Sequence, residues 1–202
     1  MARHLERFGI DAILVTDPDA TGERLLSAFA HLPGVVEAVA GACSVLLRFD
    51  DWSAARSARP TLQDMPVPAN LGSIGPIIEI PVRYDGVDLT QIAIECGLSR
   101  EDVINRHQST VYTVAFCGFT PGFAYLAGLP PELRIPRLPS PRDAVPAGSV
   151  AIADSYCGIY PRTTPGGWRI IGYADVVLFD VYRDPPALLT PGMQVRFTPR
   201  QE

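Results

Sequence analysis

Two arginines that each follow a proline, Pro136-Arg137 and Pro141-Arg142, are the residues of this sequence best suited to gripping an anion. Proline fixes φ, so the guanidinium after it projects from a stiffened backbone. A guanidinium held in that way can bind a carboxylate or phosphate through two parallel hydrogen bonds. The residues between the pairs, Leu-Pro-Ser, favour an extended chain on which both arginines could flank one ligand. Upstream lies FCGFTPGFAYLAGLP, Phe116 to Pro130, where three phenylalanines and a tyrosine are interrupted by three glycines and two prolines. A buried strand would use Val and Ile and avoid Gly and Pro. Rings on so broken a backbone suit pocket walls, and glycines let backbone amides approach a ligand. Val145–Ser149 (VPAGS), Gly158–Pro161 (GIYP) and Thr164–Trp168 (TPGGW) repeat the mixture. The competing reading is purely structural, since Gly and Pro also shape barrel corners and arginines commonly lie solvated.

Composition removes several chemistries. All 17 basic residues are arginine, so no P-loop, Schiff-base, biotinyl or lipoyl lysine exists on this chain. A net charge of −5 argues against nucleic acid as a partner. Cys43, Cys96, Cys117 and Cys157 form no CxxC pair, and His4, His31 and His107 complete no ligand pattern, so neither a metal nor a disulfide framework is expected. No signal-peptide run or membrane-spanning stretch is expected, which points to a soluble, cytoplasmic protein.

The elements that must position these residues fall into two groups, an α+β organisation with expected domains at 1–76 and 77–202. The first group alternates strands and helices. Ala12–Val15 reads as a strand, and TGERLLSAFAHL as a helix with Leu25, Leu26, Phe29 and Leu32 on one face, stopped by Pro33-Gly34. A hairpin follows on either side of Gly41, then a short helix in DWSAARSA capped by Asp50 or Asp51. PVPANLGSIGP, 66–76, has the composition of a linker. The second group opens with a strand from Ile77 to Tyr84 and two short helices, DLTQIAIECG and SREDVINRH. Beyond His107 come short apolar runs, TVYTVAF, GSVAIA, WRIIGY, DVVLFDVY and MQVRFT, separated by Gly- and Pro-rich turns. Many short strands with such turns predict an all-β barrel or sandwich.

The helix pair has the spacing of a helix-turn-helix, but Glu101 and Asp102 open its second helix and would meet phosphates with the wrong sign. Packing of both helices against the barrel is the better account.

In order along the chain, five blocks resemble the family of the 5-oxoprolinase B subunit, KipI and allophanate hydrolase subunit 1 (carboxyltransferase domain, subdomains C and D). They are Ile80–Leu89, Gly118–Leu126, the Pro-Arg pairs with Val145–Val150, Gly158–Pro161, and Thr164–Trp168. Thr164 replaces a serine, Ala124 a common proline, and Tyr156-Cys157 a small or amide residue of the family pattern. The resemblance implies a small N-terminal α/β sandwich followed by a cyclophilin-like β-barrel. It also implies a subunit of an ATP-dependent 5-oxoprolinase that opens 5-oxoproline to glutamate. The nucleotide then belongs to the complex, and the partners are a protein like KipA or the 5-oxoprolinase C subunit and a further oxoprolinase subunit. The isolated chain would be inactive.

On that resemblance Arg137 and Arg142 become clamps for a carboxylate-bearing substrate. His107, the histidine of the matched region, becomes the candidate for proton transfer, although a core histidine closing a helix fits the same position. Phe119, Phe123, Tyr125, Ser149, Tyr160, Thr164 and Trp168 would line a groove for substrate or partner. Two other activities fit the same blocks: a KipI-like inhibitor of a histidine kinase, and the carboxyltransferase half of a biotin-dependent urea carboxylase or allophanate hydrolase-like complex.

Overall fold

A computed structural model describes residues 3–69 and 77–200. The chain divides into two compact units, Met1–Ile74 and Gly75–Glu202. Most of the linker expected at 66–76 lies outside the described residues.

In the first unit, β1 (His4–Phe8), β2 (Ala12–Thr16), β3 (Val35–Ala40) and β4 (Ser44–Phe49) form an antiparallel sheet in the order β1-β2-β4-β3. Helices α1 (Gly22–Phe29) and α2 (Trp52–Asp64) bring Leu25, Phe29, Ala55 and Leu62 onto Ile13, Val15, Val45, Leu47 and Phe49. Strand β1 was not expected, because HLERF carries three charged or polar residues on an exposed edge. The Asp51 carboxylate accepts from the Ala54 amide at 2.8 Å and caps α2. That helix runs past its expected end and through Pro60. A tertiary contact helps hold its last turn: the Arg3 guanidinium donates to the carbonyls of Leu62 and Met65.

The second unit is a closed seven-stranded barrel. Its strands are β5 (Ile78–Arg83), β6 (Val111–Cys117), β7 (Ala124–Ala127), β9 (Ser149–Ala153), β10 (Tyr156–Ile159), β12 (Arg169–Ala174) and β13 (Gln194–Pro199), ordered β10-β7-β6-β13-β5-β12-β9 and closed by β9 on β10. All pairs are antiparallel except β13 on β5. Two further strands, β8 (Arg142–Val145) and β11 (Thr164–Gly166), pair with each other as a separate flap. Helices α3 (Leu89–Cys96) and α4 (Arg100–Gln108) contribute Leu89, Ile92, Ala93 and Val103 to the barrel's core cluster. Ser99 and Asp102 form a capping box at the start of α4, so one of the two acids that oppose a DNA contact caps the helix itself.

The expected strand in DVVLFDVY does not form. Leu178 alone is buried among its larger apolar residues, Val177 and Val181 are exposed, and a single bridge joins Phe179 to Ala187. Among the described residues no helix is long and apolar enough to cross a membrane.

Candidate functional site

Strand β9 is buried along its whole length, and its two faces meet different neighbours. Side chains alternate along a strand. Val150 and Ile152 therefore enter the aliphatic barrel interior with Leu126, Cys157, Ile159 and Phe197. Ala151 and Ala153 face the other way, under Phe123, Tyr160 and Trp168, with Tyr125 and Tyr156 at the margin. The outer wall thus carries rings because the strands beneath offer small residues. A Cβ on Gly158 would lie 2.9 Å from the Phe123 ring and 3.2 Å from Trp168, and one on Gly166 would strike the Tyr160 ring. Both glycines make room for aromatic packing.

The FCGFTPGFAYLAGLP stretch supplies most of these rings, and part of it is strand. A register shift between Val114 and Phe116 sets Phe116 opposite Tyr125, and the two rings stack at 4.2 Å with planes 16° apart. Tyr156 meets both edge-on, at 5.6 and 5.8 Å. Phe123 is buried and centres the cluster, 5.1 to 5.4 Å from Phe119, Tyr125, Tyr160 and Trp168. Phe119 stands apart: its ring is 60% exposed and its backbone is left-handed, φ 67°. That conformation is costly for a non-glycine residue and marks functional loops.

The two proline-linked arginines have different surroundings. Arg142 turns back into the fold, donating to Asp88 Oδ1 at 2.6 Å and to the Trp168 carbonyl at 3.3 Å. Asp88 Oδ2 accepts the Ile170 amide at 2.7 Å, so this carboxylate joins flap, helix α3 and barrel. Arg137 is 66% exposed, with Asp154 no nearer than 3.9 Å. A Cβ on Gly167, beside Trp168, would lie 3.8 Å from Arg137 Cβ, which sets this cation beside the aromatic wall; burial raises the pKa of Tyr125 and Tyr160, and the Arg137 charge opposes the rise. The expectation that one ligand bridges both arginines is replaced by an asymmetric arrangement, one cation tied down and one accessible.

His107 lies at the end of α4, fully buried. Its Nδ1 is 2.8 Å from the Tyr84 hydroxyl and its Nε2 is 3.2 Å from Cys157 Sγ. Phe197 tilts over the ring at 4.5 Å. Burial drives the imidazole pKa down to about 3 and pushes the Cys157 thiol up, so both are neutral at pH 7. This is a sealed core position, on the opposite side of β10 from the rings. Ser149 and Thr164 also lie within the fold. Their hydroxyls, with that of Thr120, are buried and make no hydrogen bond among the described residues.

Arg169 escaped the sequence reading. It is 8% exposed, forms a bidentate pair with Glu95 at 3.1 Å on both arms, and donates to the Pro136 carbonyl. Its place directly after the Thr164–Trp168 block was the available signal. Among the described residues no group of three His, Cys, Asp or Glu side chains could hold a metal ion, and all four cysteines are free.

A barrel with these blocks belongs to a known family. Residues 14–189 match the carboxyltransferase domain, subdomain C and D, and the chain is a member of that family. It is 45% identical over 184 residues to the B subunit of 5-oxoprolinase from Escherichia coli O157:H7, covering 89% of this chain and 84% of that protein. Among solved structures, TTHA0988 superposes with a TM-score of 0.80 at 38% identity over 96% of this chain; the chain spans only 41% of TTHA0988. The Kluyveromyces lactis urea amidolyase shares the fold, with a TM-score of 0.75 at 22% identity over 98% of this chain and 15% of that one.

Proposed function

We propose that this chain is the B-type subunit of an ATP-dependent 5-oxoprolinase, and that the aromatic outer wall of its cyclophilin-like barrel binds the substrate. The observation that carries the reading is the exposed Arg137 next to Gly167 and Trp168 of the aromatic wall, in a chain 45% identical to a 5-oxoprolinase B subunit. 5-Oxoproline is a flat five-membered lactam with one carboxylate. The rings provide a surface of matching shape, and the guanidinium a two-pronged anion partner worth about 1.5–3 kcal/mol. Arg142, Asp88 and Arg169 hold the flap and its neighbouring loop in position. His107 supports β10 from within and does not reach the substrate.

Opening the lactam requires ATP. This chain has no lysine and so no P-loop of the usual kind, and we assign ATP to a partner of the KipA or C-subunit type. The cytoplasm, where ATP is available, is the compartment that goes with this reading.

The test is reconstitution. Co-expressed with its partners, the chain should yield a complex that releases glutamate from 5-oxoproline and ATP, while the chain alone is inert. A complete, folded complex without turnover would overturn the assignment. A purely binding role, as in a KipI-like kinase inhibitor, draws on the exposed Phe119 and predicts kinase inhibition in place of turnover.

A further inference from the structure

The geometry points to a protein-docking knuckle at residues 177–187, built to enter an apolar socket with a basic rim on a partner protein. This deepens the reading above by locating its interface within the complex. The segment leaves the core after Leu178 and returns at Leu188, and the Leu188 amide closes its base by donating to the Leu178 carbonyl at 2.9 Å. Between them Phe179 and Ala187 bridge, and the Asp180 amide donates to the Pro186 carbonyl. One side chain holds the rest. Arg183 turns its guanidinium inward and donates to four carbonyls, those of Val177, Leu178, Pro185 and Pro186, at 2.8 to 3.3 Å.

So strongly braced a loop would ordinarily bury its apolar residues. Here the bracing turns them outward: Tyr182 is 95% exposed, Val181 69% and Val177 65%. A rigid tyrosine at the tip of an ordered loop loses little conformational freedom on binding, which is how interface anchors act. The base of the knuckle packs against the loop that bears Phe119, since a Cβ on Gly122 would fall 2.7 Å from Phe179 Cβ. The sign of the partner follows from charge. Asp180 and Asp184 flank Arg183, whose guanidinium turns inward to backbone carbonyls, so the tip carries a net charge of −1; Asp175 at its foot is 86% exposed, 4.0 Å from Arg200. Such a tip is met by arginine or lysine around an apolar pocket. TTHA0988, of which this chain matches two fifths, shows that a relative of this fold occurs within a much longer chain. The occupant inferred here is a separate protein of the complex.

The experiment measures affinity of the purified chain for the partner of the KipA or C-subunit type by calorimetry, at two salt concentrations. Val181→Ser/Tyr182→Ala should weaken binding at least tenfold with the melting temperature unchanged. Asp180→Asn/Asp184→Asn should weaken it less and flatten its salt dependence. Arg183→Lys, which keeps the charge but cannot span four carbonyls, should weaken binding as well. Wild-type affinity in the Val181/Tyr182 variant overturns the knuckle and leaves the functional assignment standing. A wild-type chain that binds no such partner overturns both. Loss of self-association instead of partner binding would show a second copy to be the occupant and overturn the partner named here.

Discussion

The inside and the outside of one barrel wall differ in kind. Inward from β9 and β10 lie Val150, Ile152, Cys157 and Ile159, sealed around His107; outward lie Ala151, Ala153 and Gly158 beneath a layer of rings. The inner face is mainly aliphatic and closed, and His107 and Cys157 within it are neutral. The outer face is aromatic and half-open, with a charged guanidinium at its margin. Strand alternation places two surfaces of opposite chemistry a single residue apart. It therefore separates the closed core from the face proposed to meet the ligand.

The strongest way to break this comparison is to remove volume inside. Ile152→Ala should cost about 2–5 kcal/mol in denaturant unfolding, because a fully buried side chain leaves a cavity. If its loss left stability unchanged, the inner face would not be the closed core described. On the outer side of the neighbouring strand, Gly158→Ala overpacks Phe123 and Trp168. A cost of about 1–3 kcal/mol is expected, accompanied by altered near-ultraviolet circular dichroism from the displaced rings.

The inner face also has a pH signature. His107 has a pKa of about 3 in the fold against an ordinary 6.5, so between those values the unfolded chain binds the extra proton. Stability is complete above pH 6.5 and falls by up to about 1.4 kcal/mol per pH unit as the pH drops toward 3. Glu95 and Asp102, whose pKa values are lowered by Gln91 with Arg169 and by Ser99 respectively, steepen the loss below the usual carboxylate range. In His107→Gln the limb between pH 6.5 and 4.5 should flatten, as read by urea unfolding at each pH. An unchanged limb would assign it to other groups.

How much of this was legible beforehand depends on the range of the interaction. Local signals worked where a pattern was short and apolar: β2, the β3–β4 pair, β5, the α3–α4 pair and four of the five later apolar runs lie where their sequences suggest. The aromatic blocks were visible because rings beside glycines are unusual in any strand. Three features were not visible. Flap strands β8 and β11, Arg-Asp-Ala-Val and Thr-Pro-Gly, have no apolar alternation and exist through pairing with each other. The partners Asp88–Arg142 and Glu95–Arg169 are 54 and 74 residues apart, so nothing near an arginine tells which is tied and which is free. DVVLFDVY has the composition of a strand, but a cation in the following turn gathers its carbonyls into a knuckle.

The central claim is that the outer face binds a carboxylate-bearing lactam through Arg137, and kinetics of Arg137→Lys in the reconstituted complex test it most directly. Arg137 is two-thirds exposed, so the substitution should leave the melting temperature unchanged. Lysine keeps the charge but lacks the planar fork. The account predicts a KM for 5-oxoproline raised about tenfold or more, the equivalent of about 1.4 kcal/mol of lost binding. An unaltered KM and kcat at unaltered stability would contradict it.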